Sequence, residues 1–284
     1  MTRLTSSDID TLSNELEDFD ERLLMQTGHD MLGIACHGAG ISLKNIQNTS
    51  KNLNIALVTM TSGLGKITGF AGTIGDILSH LGFNAFVPEQ TDAAGIASAI
   101  ERNADIIFMA DDNQYIAVNL QKKYLVDNIQ ATGKAFAAAL DLMAKGLQGQ
   151  KALVLGCGPV GMAAAETLMG FGAHVGIHDQ DMGKCKKNCA ILEKKYSKRV
   201  EPVQDLKSIA RDYRFFLEAT TAKGVIHSSM VGPQTCIAAP GVPLGVTENG
   251  IKKAGTRILY DPLQLGTAAM AVMAVSPMLD QKRE

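Results

Sequence analysis

The hydrophobic pattern of the chain switches period in a steady alternation. Short apolar runs at 55–60, 84–87 and 105–109 are too brief for helices and too uniform for strands with one wet face, so they predict buried parallel strands. Runs at 152–155, 173–177, 214–218, 235–238 and 257–260 repeat the pattern, and a weaker strand falls near 200–203. Between them, apolar residues at three- and four-residue steps predict helices over 67–81, 91–102, 129–147, 162–171, 182–196, 205–211 and 247–253. This strand–helix rhythm predicts an α/β fold. At the amino end, Ile9, Leu12, Leu16, Phe19 and Leu23 form one apolar face opposite Asp10, Glu15, Glu17, Asp18, Asp20 and Glu21. That is an amphipathic helix ending near Gly28 and opened by the capping pattern Thr5-Ser6-Ser7-Asp8. A short second helix is expected over 30–37, and 38–54 reads as a loop. The predicted organisation is an N-terminal helix with a small α/β domain over 1–128, a connecting helix over 129–149, and a Rossmann dinucleotide-binding domain over 150–284.

One stretch carries the strongest chemical signal. The strand at 152–155 runs into Gly156, Gly158 and Gly161 at G-x-G-x-x-G spacing, with Cys157, Pro159 and Val160 between them and a helix following. In a dinucleotide-binding unit the first glycine makes the tight turn, the second lets the backbone approach a pyrophosphate, and the third lets the helix pack on the sheet. The helix start then directs free N–H groups and positive dipole at the phosphates. Asp179 ends the next strand, about 20 residues on, where a carboxylate accepts from a ribose 2′-OH and repels a 2′-phosphate. The pattern predicts NAD as cofactor in preference to NADP. Short residues at the ends of later strands fit the same site: Ala219, Thr220 and Thr221 where the chain passes the nicotinamide ribose, Pro240 after the next strand, and Gly266 with Thr267 opening the last helix.

Composition narrows the class. The 284 residues are 46% hydrophobic, enough for two cores, and the net charge of −2 gives no basic surface for nucleic acid. No apolar run has the length of a membrane span and the N-terminus lacks signal-peptide regions, so a cytoplasmic protein is expected. Five cysteines suit a reducing compartment. Cys185 and Cys189 share a helix face, but no second Cys/His pair at metal spacing lies near them, and no metal site is expected.

In the first domain the strand ends also carry polar groups. Thr61-Ser62-Gly63-Leu64-Gly65 follows the first strand, and Asp111 follows the apolar Ile106-Ile107-Phe108-Met109. A carboxylate there can hold an ammonium or take its proton; it can equally cap the next segment.

Several stretches, nearly the whole chain in order, resemble the PylD family of pyrrolysine biosynthesis dehydrogenases. They are Leu4-Thr5 with the first helix, Thr27-Gly28, VTMTSGLGKITGFAGTIGDILSHLGFNAF at 58–86, and ADIIFMADDNQYIAVNL at 104–120. Thr132-Gly133, VLGCGPVG at 154–161, APGVPLGVTE at 239–248 and DPLQLGTAAM at 261–270 complete the set. The stretch 184–200 is longer than the family pattern. The resemblance implies NAD-dependent oxidation of the terminal amine of (3R)-3-methyl-D-ornithyl-Nε-L-lysine, then ring closure with loss of ammonia to give pyrrolysine. It implies Asp111 as the active-site aspartate, Ser62, Asn119 and Thr132 as polar substrate contacts, and Leu4 on a mobile helix covering the substrate. A homodimer is implied, with a small-molecule partner and neither nucleic acid nor membrane. His227, after the Ala219-Thr220-Thr221 loop, is a proton-relay candidate or a surface histidine. Other readings are a dehydrogenase of another amine, a methylene-folate dehydrogenase using Lys66, or a non-catalytic NAD sensor.

Overall fold

The computed structural model describes residues 4–63 and 67–279. Helices α1 (Leu16–Thr27), α2 (Met31–Ala39) and α3 (Leu43–Ser50) precede β1 (Asn54–Thr59), α4 (Phe70–His80), β2 (Asn84–Phe86), α5 (Asp92–Glu101), β3 (Ile106–Ala110), β4 (Tyr115–Asn119) and β5 (Tyr124–Asp127). Then come α6 (Asn128–Met143), β6 (Lys151–Leu155), α7 (Pro159–Gly170), β7 (His174–His178), α8 (Met182–Tyr196), β8 (Glu201–Pro202), α9 (Leu206–Ile209), β9 (Phe215–Glu218), β10 (Cys236–Ala239), α10 (Glu248–Ala254), β11 (Ile258–Tyr260) and α11 (Gln264–Leu279). Among the described residues no helix is long and apolar enough to cross a membrane.

The chain divides into two compact units, each with one sheet. The first sheet has the order β2-β1-β3-β4-β5, parallel through β3 and antiparallel beyond it. Its β1 is buried on both faces. Ala56 and Val58 pack with Ala99 of α5 and Ile107, while Leu57 turns toward Gly75 of α4. This two-sided burial is why the run reads as wholly apolar.

The second sheet has the order β11-β10-β9-β6-β7-β8, every pairing parallel, which is the Rossmann order with its reversal at β6 and β9. Leu153 and Leu155 join Phe216, Ile237 and Ala239 in one buried cluster. On the other face Val154 approaches Gly161 of α7. Helix α6 packs on α7 through Gly133: a Cβ there would lie 2.6 Å from Ala163 Cβ and 2.8 Å from Ala164 N. No side chain fits, so the helices meet backbone to backbone.

Four features differ from the sequence expectation. The amphipathic segment is helical only from Leu16; before it the chain makes 3-10 turns at Ser6–Asp8 and Leu12–Asn14. Asp10, Thr11, Ser13 and Asn14 are weak helix formers that favour local turns, and the burial of Ile9 supplies the packing instead. The 38–54 stretch contains helix α3, in which Ile46 and Ser50 alone are buried, too few positions to show a period. After Asp111 the chain forms the antiparallel pair β4 and β5. Finally, residues 263–279 group with the first sheet, although the sequence places the end of the chain in the Rossmann domain. The physical reason lies in α11, whose residues are buried from Gln264 to Val272 without a polar face. A helix apolar all round needs partners on every side, and α2, α4, β4 and β5 provide them. The end of α1 groups the other way, with the second sheet, where Gln26 Nε2 donates to Thr256 O at 2.9 Å and Ile258 O at 3.0 Å.

Candidate active site

In the second unit the site starts from backbone geometry. Gly156 turns the chain out of β6 at φ +94, and a Cβ there would lie 2.7 Å from Ala219 O. Its N–H donates to His178 O at 2.8 Å. Gly161 faces the Gly156 carbonyl so closely that a methyl group would collide with it. Gly158, the N-cap of α7, has nothing within 4 Å of where a Cβ would stand, and Pro159 begins the helix. Two crowded glycines thus fix the helix start, and the third leaves its face open. Val160 follows, half-buried. This arrangement fits a pyrophosphate against free helix N–H groups.

Asp179 stands at the edge of that turn. Its Oδ2 accepts from Cys157 N at 2.7 Å and its Oδ1 from Asp181 N at 2.9 Å. Partial burial pushes the carboxyl up, but the backbone bonds from Cys157 and Asp181, together with the Cys157 side chain and the charge of Lys184, hold it below the usual carboxylate range. The side chain is therefore an ionised, oriented acceptor, as a ribose hydroxyl requires. Asn188 Nδ2 donates to Cys157 O at 3.1 Å and steadies the turn from α8. Ala219, Thr220 and Thr221 leave β9, and Pro240 leaves β10, on strands adjacent in the sheet. Thr132 lies on α6 beside Gly133, in the unit that holds the glycine turn.

The acid at the end of the predicted strand 214–218 belongs to this region. Glu218 closes β9, is fully buried, and accepts from Thr220 N (2.9 Å), Thr220 Oγ1 (2.5 Å) and Gly245 N (3.1 Å). Burial pushes its carboxyl above the ordinary value against the pull of these bonds. The signal available in sequence was a carboxylate directly continuing Phe215-Phe216-Leu217.

In the first unit Asp111 forms the turn between β3 and β4. Its N–H donates to Gln114 O at 2.9 Å, and its Oδ1 accepts from Asn113 N at 2.7 Å and Gln114 N at 2.8 Å. The bonds from Gln114 and Asn113 hold the carboxyl below its ordinary range. Asp111 is exposed, and among the described residues Oδ2 has no partner. Ser62 is also exposed, at the end of the adjacent β1. The two turns touch, because a Cβ on Gly63 would lie 3.2 Å from Asp112 Cβ and run into its carboxylate. Thr61 anchors the first turn through N and Oγ1 to Asp92 at 2.8 and 2.6 Å. Ser62 and Asp111 are therefore brought to one sheet edge. Tyr115, paired with Ala110, is at the same edge and was not singled out in the sequence. Its ring packs edge-on against Phe70, its hydroxyl lies 3.2 Å from Thr267 Oγ1, and burial keeps it a neutral phenol.

Asn119 is a correction. It pairs with Ile106, at the opposite end of β3 from Asp111, and is fully buried. Its Nδ2 donates to Ala274 O at 2.8 Å and its Oδ1 accepts from Lys122 N at 2.9 Å. The amide ties β4 to α11 instead of facing a ligand. Gly266 and Thr267, expected at the cofactor, lie buried in the first turns of α11, in the first-sheet unit, and Thr267 meets Tyr115. Leu4 is half-buried ahead of a turn that Asp8 closes, its carboxylate accepting from Thr5 N at 2.7 Å and Oγ1 at 2.6 Å. His227 is exposed beside an open cavity of about 530 Å³ lined also by Ser208, Arg211 and Ser228 to Met230. Lys66, the lysine a folate dehydrogenase would use, lies outside the described residues. Cys185 and Cys189 are both buried, and Cys185 Sγ donates to Ile177 O at 3.3 Å.

Residues 8–126 match the family model of the N-terminal domain of pyrrolysine biosynthesis protein PylD, and residues 129–229 that of the C-terminal domain of alanine dehydrogenase/PNT. The pyrrolysine synthase of Methanosarcina acetivorans is 28% identical over 272 residues, covering 95% of this chain and 98% of that protein. That of Methanosarcina barkeri is 27% identical over 274 residues, covering 95% and 97%. Among solved structures, shikimate dehydrogenase from Aquifex aeolicus is similar in fold, with TM-score 0.53 and 14% identity over 82% of this chain and 98% of that one. The chain is an oxidoreductase, and its Rossmann-type sheet supports a nicotinamide cofactor.

The position of Asn119 yields a prediction. Asn119→Leu strands Lys122 N–H and Ala274 C=O inside the fold, at a cost of about 2–3 kcal/mol. Urea denaturation is expected to show this loss. A variant that keeps wild-type stability yet loses turnover would make Asn119 a substrate ligand instead.

Proposed function

Because the chain belongs to the PylD family of pyrrolysine biosynthesis dehydrogenases, we propose that it closes the pyrroline ring of pyrrolysine, with (3R)-3-methyl-D-ornithyl-Nε-L-lysine as substrate and NAD as cofactor. When bound, NAD accepts the hydride. The observation that carries the reading is the Asp111 carboxylate. It is ionised, fixed by its own turn, and leaves one oxygen for a ligand at the edge that also presents Ser62.

The substrate enters with its terminal amine as an ammonium. Asp111 Oδ2 receives that ammonium, and the Ser62 hydroxyl offers a second polar contact. Because the turn holds Asp111 below the ordinary carboxylate range, it is a better anchor than base. Its work is to orient the donor carbon for approach to within about 3–3.5 Å of the hydride acceptor. Once the ammonium proton has passed by way of Asp111 Oδ2 to solvent, before water is excluded, loss of hydride converts the carbon–nitrogen single bond to an imine. The ornithine α-amine then attacks that carbon, ammonia leaves, and the ring closes. Water must be excluded while this happens; Leu4 and the segment it leads are assigned to that cover, and Thr132 to a substrate contact. The same reading expects a cytoplasmic homodimer.

The preference for NAD rests on Asp179. Asp179→Ala removes both the ribose acceptor and the charge that repels a 2′-phosphate. We expect wild type to bind NAD more tightly than NADP and the variant to narrow the gap. Equal wild-type affinity for the two would end the NAD assignment.

Asp111→Asn keeps the size of the side chain and removes its charge. Single-turnover NADH formation should fall by a factor on the order of 10² through loss of substrate positioning, with NAD affinity within about twofold of wild type. Wild-type NADH formation by the variant would leave Asp111 as a turn residue alone.

A further inference from the structure

We infer that Glu218 is a positioning residue of the cofactor site: its buried carboxylate latches together the two loops that leave β9 and β10, and its negative charge favours an oxidised, cationic dinucleotide over the reduced, neutral one. The inference rests on reading the second sheet as the dinucleotide-binding unit.

The geometry is that of a built acceptor. Glu218 ends a strand whose preceding residues, Phe215, Phe216 and Leu217, are all buried and apolar. A carboxylate at such a place is costly unless hydrogen bonds replace its water. Here Oε1 accepts from Thr220 N and Thr220 Oγ1, and Oε2 accepts from Gly245 N. The first two donors belong to the loop after β9, the third to the loop after β10. The second loop is shaped around the acid: a Cβ on Gly245 would lie 2.5 Å from Glu218 Oε1, and one on Gly241 would lie 2.9 Å from Oε2 and 2.6 Å from Thr220 O. One carboxyl group therefore sets the spacing of both loops.

A leucine would suit the apolar strand, and a neutral amide could satisfy only part of the donor set, since its NH₂ group would face another N–H. Among the described residues, all the bonds that Glu218 makes are accepted, and none comes from a cation. Its charge is left without a counter-ion in a medium of low dielectric, where a charge acts over a longer range than in water. Both loops leave the carboxyl ends of adjacent strands beside the reversal at β6, where sheets of this order seat their ligands. Oxidised nicotinamide brings a positive ring charge to that end, and the reduced ring brings none. A fixed acid discriminates between them without touching either.

The test compares wild type with Glu218→Gln and Glu218→Asp, each checked for folding by circular dichroism. Affinities for NAD and NADH are measured separately by calorimetry and NADH fluorescence, and hydrogen exchange is followed at the Thr220 and Gly245 amides. Glu218→Gln should weaken NAD about tenfold more than NADH and speed exchange at Gly245. Glu218→Asp keeps the charge but shortens the reach, so it should speed exchange at both amides and hold the NAD-to-NADH affinity ratio within about threefold of wild type. Equal weakening of both dinucleotides by Gln, or unchanged exchange in both variants, overturns the inference. If Gln does not fold, a ratio shifted in Asp overturns it by itself. Wild type that binds neither dinucleotide would instead defeat the reading of the unit on which the inference rests.

Discussion

The contact between Gly161 and the carbonyl of Gly156 governs the second half of the molecule. No side chain fits between them, so the start of α7 comes down onto the end of β6 and its first N–H groups open outward. Other contacts keep it there. Gly133 lets α6 press on α7 without an intervening side chain, and the Cys157 N–H is held by Asp179. On the proposed function the latter bond does two jobs, since the acceptor that steadies the turn is also the group that would read a ribose. A turn built this way is stiff, and stiffness lets a backbone recognise a phosphate without a charged side chain.

The acids show how one kind of side chain is divided among tasks by its surroundings. Asp111 and Asp179 accept from backbone N–H groups and remain ionised, below the usual carboxylate range. Glu218 is sealed inside and driven upward by burial, and its partners are the loops themselves. In the proposed function the first two offer charge to a ligand at close contact. Glu218 spaces the loops after β9 and β10, and its inferred effect on a dinucleotide is exerted at a distance. The distinction follows from desolvation against hydrogen bonding, not from residue type or from place at a strand end, which all of them share.

Much of this was legible in the chain. Buried parallel strands announce themselves as apolar runs, and the glycine turn with Asp179 is a local pattern whose partners lie close in sequence. What was illegible depended on distant contacts. Helix α3 buries too little to show a period. The hairpin of β4 and β5 was hidden because the Asp111-Asp112-Asn113-Gln114 turn reads as a strand end followed by loop. The allegiance of α11 to the first sheet is set by what surrounds an all-apolar helix, and periodicity says nothing of that. Asn119 fitted the family pattern of polar contacts, but the antiparallel register carries it to the far edge of the sheet, where Ala274 and Lys122 claim both ends of its amide. Glu218 looked like ordinary strand punctuation until the donors from Thr220 and Gly245 were seen around it.

In the proposed reaction the terminal amine leaves as ammonia after oxidation of its carbon, while the α-amine becomes the ring nitrogen. Substrate labelled with ¹⁵N in the terminal amine tests this directly in a single turnover with NAD, read by mass spectrometry and NADH absorbance. One NADH is expected for each ring formed, with all of the label in released ammonia and none in the cyclic product. Label retained in the product, or ring formation without NADH, would contradict it.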